Sequence, residues 1–127
     1  MYDDIINEKL KQLKIEDFIW LIYILIIFMS WYSNTFERKY FIYNDLESKE
    51  KYRNIVVLIF IILIIIYLYF LKGSFDELKN LKPWDTDKKK KLTYLSFIGS
   101  LLIAISGFIF LYISIVDENL DVELAFN

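Results

Sequence analysis

The sequence predicts an all-α integral membrane protein with three transmembrane helices and a short amphipathic helix before them. Of the 127 residues, 57% are hydrophobic, above the roughly 45 to 50% that is usual for soluble domains. These apolar residues form three blocks, and charged residues flank each block. Because lipid can solvate such blocks and water cannot, we expect one membrane domain over residues 1–127.

Residues 1–17 are predicted to form an amphipathic helix at the cytoplasmic surface of the membrane. Tyr2, Ile6, Leu10 and Leu13 follow one another at steps of four, four and three residues, and charged residues fill the positions between them. This spacing places the four apolar side chains on one helix face. We expect the helix to rest on the bilayer, and membrane sensing or partner binding is the alternative interpretation.

The first span is predicted at residues 18–36, a segment about long enough to cross the hydrocarbon core. Its second half contains Ser30, Ser33, Asn34 and Thr35, so it is less apolar than the other two spans. A cleavable signal peptide is the alternative, but the residues before the block are rich in acid and no small residues mark a cleavage site. We therefore expect this segment to remain as a membrane helix.

The second span is predicted at residues 55–71, which are nearly all Ile, Leu, Val, Phe and Tyr. Residues 37–54 form the external loop before it. Asp45 can cap a helix in which Glu47 and Lys51 are four residues apart, so the helix is expected to begin well before residue 55. The aromatic side chains of the loop are interpreted as an interfacial aromatic belt in preference to a ligand site.

Residues 72–91 form the predicted cytoplasmic loop. A capping-box pattern that starts at Ser74 predicts a short interfacial helix, which Pro83 stops. Either Asp85 or Asp87 is expected to cap the helix that follows. The loop should therefore contain its own short helix between two membrane spans.

Four consecutive lysines, Lys88, Lys89, Lys90 and Lys91, close this loop directly before the third apolar block. An anionic leaflet attracts each such charge by about 1 kcal/mol, so these side chains are predicted to contact lipid headgroups. Nucleic-acid binding is the other interpretation of a lysine run, but the position beside a membrane helix disfavours it. The anionic inner leaflet is therefore the predicted partner of this cluster.

The third span is predicted at residues 92–116, and an acidic tail follows at residues 117–127. Small side chains recur along one face of this span, where a second helix can approach closely. The sequence leaves open whether that helix belongs to the same chain, to a second copy in a homo-oligomer or to a larger membrane protein. The predicted packing residues are Ser96, Ser100, Ala104, Gly107 and Ser114.

The distribution of Lys and Arg predicts the orientation. The side that holds residues 1–17 and 72–91 carries more basic residues than the side that holds residues 37–54. Since basic loops stay on the cytoplasmic side, we expect a multi-pass protein of the cell membrane with a cytoplasmic N-terminus and an external C-terminus.

Cys and His are both absent, and no catalytic, cofactor or metal motif is recognisable. No predicted span contains an ionisable residue of the kind that marks ion and proton paths. Heavy use of Ile, Lys, Asn, Tyr and Phe indicates an AT-rich, bacterial genome. We therefore expect a small non-enzymatic membrane protein that acts through helix–helix association, as an accessory subunit or an immunity-type protein. The alternative is a pore-forming protein of the holin or small-toxin kind.

Overall fold

The computed structural model describes residues 2–124, and this range consists of three α-helices joined by short connections. They are α1 (Tyr2–Tyr43), α2 (Leu46–Lys79) and α3 (Asp87–Val116). No strand occurs in the described range. The predicted all-α class is therefore confirmed.

Two of these helices, α2 and α3, are long and apolar enough to cross a membrane, with mean hydropathies of 3.0 and 2.3 over their most apolar segments. They contain 34 and 30 residues, which at ~1.5 Å per residue makes them about 51 and 45 Å long. Both lengths exceed the roughly 30 Å of a hydrocarbon core. Each helix is therefore longer than the hydrocarbon core is thick, so its ends can extend beyond the core. Among the described helices, α1 is not one of those that meet this criterion of length and hydropathy.

The N-terminal segment differs from the prediction of a separate interfacial helix. Residues 2–17 and 18–36 belong to one uninterrupted helix of 42 residues. Neither Gly nor Pro occurs between Tyr2 and Tyr43, so no residue removes a hydrogen bond from the helix or favours a break. Residues 2–17 are thus the first part of α1.

A tight turn at Asn44 and Asp45 connects α1 to α2. Asn44 has a φ of 53°, in the left-handed region that Asn tolerates better than most other residues. The Asp45 carboxylate accepts hydrogen bonds from the Glu47 N–H at 3.2 Å and from the Ser48 hydroxyl at 2.8 Å. Glu47 and Lys51 form the expected ion pair at 3.4 Å. The predicted cap and the early start of α2 are therefore confirmed.

The predicted short helix after residue 73 is wrong, because α2 continues without interruption to Lys79. Ser74 is buried inside α2, and its hydroxyl donates to the Leu71 carbonyl at 3.0 Å instead of capping a new helix. Serine commonly makes this bond within a helix, since the carbonyl one turn earlier lies within its reach. The capping-box spacing at Ser74 was thus coincidental.

The predicted cap of α3 is also wrong. Thr86 occupies the N-cap position, where its Oγ1 accepts a hydrogen bond from the Lys89 N–H at 3.1 Å. Asp85 is not available for capping because its carboxylate accepts the Lys82 N–H at 2.7 Å. Asp87 is already the first residue of the helix.

The chain divides into two compact units, residues 1–52 and 53–127. In the first unit, the buried residues of α1 are Ile19, Ile26 and Ser33, at intervals of seven residues. The second unit is a helical hairpin made by α3 and most of α2. Both surfaces singled out from the sequence, the small-residue face and the lysine cluster, lie in this second unit.

Candidate functional site

The small-residue face of α3 packs against α2 at Gly107. A Cβ atom added to Gly107 would stand 3.1 Å from Cδ2 of Tyr67 and 3.2 Å from Cγ1 of Ile64. Ordinary carbon contacts are about 3.5 to 4.0 Å, so this approach depends on the missing side chain. The partner of this part of the face is therefore α2 of the same chain.

Two neighbouring members of the predicted packing face are buried as well. Ala104 is 3% exposed and Ser114 is 6% exposed. The Ser114 hydroxyl donates to the Leu111 carbonyl at 2.7 Å, so its polar group is satisfied within α3. The rings of Phe60 and Phe110 stack across the hairpin with centroids 5.8 Å apart. This half of α3 is thus closely packed.

The N-terminal half of the same face is open. Ser96 is exposed and Ser100 is half-buried. Here Phe75 and Phe97 bring the two helices into contact through large rings, whose centroids are 5.9 Å apart. Bulky residues meet at this level, whereas Gly107 permits close approach further along, and the hairpin leaves a gap at its looped end.

An open groove of about 390 Å³ occupies that gap, a volume within the roughly 300 to 1,000 Å³ of small-molecule sites. One of its sides is the end of α2, and the other is the beginning of α3. The groove combines charges of both signs, hydroxyl groups and one apolar side chain. Its lining residues are Glu77, Thr86, Lys88, Lys89, Leu92, Thr93 and Ser96.

The four predicted headgroup lysines have different surroundings. The Nζ atom of Lys89 pairs with Asp85 at 3.2 Å, and that of Lys90 donates to a carbonyl of the loop at 3.2 Å. Lys88 and Lys91 are exposed and form no ion pair within residues 2–124. Two of the four ammonium groups therefore remain without a partner inside the described chain, and only Lys88 of these two lines the groove.

Asp85 holds the loop in place beside the lysines. The hydrogen bond from the Lys82 N–H lowers the pKa of Asp85 below its ordinary value, and the contact with Lys89 lowers it further. Asp85 is consequently ionised at neutral pH. It keeps part of the positive charge of Lys89 engaged within the chain.

The opposite end of the hairpin is held by Arg53, a basic residue that comes just before the predicted second span. Its Nη2 atom donates to the Asp117 carbonyl at 2.6 Å, just past the end of α3, where a cation is favourable. The Asp117 carboxylate accepts the N–H groups of Asp121 at 3.1 Å and Val122 at 2.8 Å. The first part of the acidic tail is therefore folded onto α3, and residues 125–127 of the predicted tail lie outside the described range.

The described residues contain no group of three or more acidic, His or Cys side chains placed to hold a metal ion. No known protein family, curated protein or solved structure matches the chain. The fold defines an all-helical small protein with two helices that could cross a membrane. Function must therefore be inferred from the surfaces of those helices.

Proposed function

We propose that the chain is a small non-enzymatic membrane protein that crosses the bilayer three times and acts through helix association. In this proposal α2 and α3 provide two spans and residues 18–36 of α1 provide the third. The outward side chains of that α1 segment support a lipid environment, since large apolar residues there are more than half exposed. They include Phe18, Leu21, Leu25 and Phe28, with exposed fractions of 62%, 64%, 54% and 58%.

The observation that carries the proposal is an apolar stripe on α3. Its members follow one another at steps of four and three residues and are between 45% and 66% exposed. They lie on the side of α3 away from Gly107, which already packs against α2. We call this set the α3 outer stripe: Ile98, Leu102, Ile105, Ile109 and Tyr112.

Steps of four and three residues keep side chains on one seam of a helix, and a second helix can pack along such a seam. Because α2 occupies the C-terminal half of the small-residue face, the outer stripe is an exposed surface of α3 that remains open to a partner. This supports the role of an accessory subunit or an immunity-type protein that binds a larger membrane protein. In this proposal the N-terminus lies in the cytoplasm and the C-terminus lies outside, because the basic residues are more numerous on the N-terminal side.

Co-purification tests the proposed role. The tagged chain is extracted in mild detergent, and its associated membrane proteins are compared with those of a variant carrying Leu102→Ala and Ile109→Ala. Loss of a partner in this variant supports helix association through the outer stripe. A matched control carries Leu58→Ala and Ile65→Ala on exposed positions of α2, where the partner should be retained.

Measurement of the membrane potential in cells that express the chain separates the proposal from the pore alternative. An accessory protein should leave the membrane potential of the host cell unchanged after induction. A pore should collapse it within minutes and purify without a partner. Collapse of the potential by the wild-type chain would therefore overturn the proposed role.

A further inference from the structure

The groove at the looped end of the α2–α3 hairpin presents opposite charges on its two sides. Glu77 belongs to the end of α2, and Lys88 and Lys89 belong to the first turn of α3. Glu77 and Lys88 are both exposed, and neither forms an ion pair within the described part of the chain. The groove therefore offers one acceptor for a cation and a basic edge for an anion.

We propose that this groove binds the headgroup of one phosphatidylethanolamine molecule. The headgroup carries a negative phosphate and a positive primary amine, and the groove has a basic side and an acidic side that are opposite to them in charge. The inference rests on the proposed function, because a membrane lipid reaches the groove only if the chain lies in a bilayer. The lysine cluster was expected to attract anionic lipids in general, whereas the groove is proposed as a defined site that prefers one headgroup.

The phosphate is placed at the basic side of the groove. Lys88 supplies an ammonium group with no partner in residues 2–124, and Lys89 adds part of a charge that it shares with Asp85. Ser96 is exposed and its hydroxyl makes no hydrogen bond to another described residue, so it can donate to a phosphate oxygen. Charge-assisted hydrogen bonds of this kind are the stronger ones in proteins.

The amine is placed at Glu77. A primary ammonium has three N–H donors and can form charge-assisted hydrogen bonds with a carboxylate. The quaternary ammonium of phosphatidylcholine has no such donor, and phosphatidylglycerol has no cation to offer. Glu77 should therefore favour ethanolamine over both of these headgroups.

The acyl chains are placed along α3. Leu92 lines the groove and is 54% exposed, and Leu95 continues the apolar surface one turn further with 52% exposed. Leu92 and Leu95 thus provide an exposed apolar surface beside the polar lining of the groove. This arrangement fits a whole lipid better than free phosphoethanolamine.

Native mass spectrometry of the full chain, released from detergent with each lipid at equal concentration, tests the site. The wild-type chain should retain phosphatidylethanolamine about fivefold more than phosphatidylcholine or phosphatidylglycerol. Glu77→Gln should abolish this preference, and Lys88→Gln should lower retention of all three phospholipids. Free phosphoethanolamine added in excess should not displace the lipid.

Three control variants test whether these outcomes are specific to the groove. Asp76→Asn and Lys72→Gln change charges near the same end of α2 without altering a residue that lines the groove, so both should preserve the preference. Glu77→Asp retains the carboxylate and should recover part of it. Equal retention of the three phospholipids by the wild-type chain would overturn the proposal without depending on any variant.

Membrane extraction separates a failure of this site from a failure of the proposed function. Resistance of the wild-type chain to alkaline carbonate establishes that it is integrated in the bilayer. If the chain is integrated and shows no headgroup preference, the lipid site is wrong and the proposed function is unaffected. If carbonate releases the chain, both proposals fail together.

Discussion

The ring of Tyr67 lies against the backbone of Gly107, so close that a single added carbon atom at residue 107 would stand 3.1 Å from it. This contact joins the middle of α2 to the middle of α3. It assigns the small-residue face to packing within the hairpin, at least in its C-terminal half. The C-terminal half of the small-residue face is thus taken by α2, and the α3 outer stripe is the surface that we propose for association with other proteins.

Replacement of Gly107 by Leu should destabilise the hairpin by about 1 to 3 kcal/mol, because the new side chain would overlap Tyr67 and Ile64. Gly107→Ala should have a smaller effect, since its neighbours need to move by only a few tenths of an ångström. Unfolding in mixed micelles with increasing dodecyl sulfate, followed by circular dichroism, measures both. Gly99→Leu is the matched control, because a Cβ at Gly99 meets nothing within 4 Å. Equal destabilisation by the Gly99 and Gly107 variants would contradict this assignment.

Sequence periodicity was sufficient for features that depend on one helix alone. The capping side chain of Asp45 predicts the early start of α2, and the spacing of small residues along α3 singles out Gly107, which lies close to Tyr67. The partner of Gly107 was not predictable, because spacing along α3 contains no information about which helix faces it. Contact with Tyr67 depends on the fold of the hairpin.

The capping predictions at Ser74 and Asp85 were wrong because each side chain makes a different hydrogen bond in the folded chain. Ser74, Asp85 and Thr86 all have side chains that can cap a helix. In the structure Ser74 bonds within α2, Asp85 holds the loop through the Lys82 N–H, and Thr86 caps α3. The groove was also invisible in the sequence, since Glu77 comes close to the start of α3 only when the hairpin forms.

Replacement of Arg53 by Gln should release the acidic tail from the end of α3. The hydrogen bond from Arg53 to the Asp117 carbonyl is charge-assisted and partly shielded from solvent, so its loss should cost about 1 to 2 kcal/mol. Amide exchange at residues 117–122 should become faster, as measured by mass spectrometry of peptic fragments. Lys51→Gln removes an exposed ion pair with Glu47 and should cost less than about 0.5 kcal/mol. Unchanged exchange in the Arg53 variant would show that the tail is held by other contacts.

The start of α2 should loosen in acid because Asp45 caps it. The hydrogen bond from the Ser48 hydroxyl, with help from backbone N–H groups, lowers the pKa of Asp45 below its ordinary value in the folded chain. A lowered pKa means that the stabilisation is present above the unfolded pKa of about 3.9 and is lost as the pH falls through the folded value. Amide protection at Glu47 and Ser48, corrected for intrinsic exchange, should therefore decrease below about pH 4.

Two variants of this cap provide the controls. Asp45→Asn keeps an acceptor oxygen that does not titrate, so the acid-dependent loss of protection should disappear. Asp45→Ala removes the cap and should lower protection at every pH. If Asp45→Asn retained the full pH dependence, another carboxylate would have to be responsible for it.

The third span can be tested with single cysteines, because the chain contains none of its own. Lys11→Cys, Glu50→Cys, Asn80→Cys and Glu118→Cys each place a thiol at an exposed position outside the proposed spans. In intact cells a membrane-impermeant maleimide should label residues 50 and 118 and leave residues 11 and 80 unlabelled until the cells are opened. This pattern follows because residues 18–36 would put Lys11 and Glu50 on opposite sides of the membrane. Labelling of residues 11 and 50 from the same side would show that only α2 and α3 cross, and the exposed apolar side chains of α1 would then require a protein partner instead of lipid.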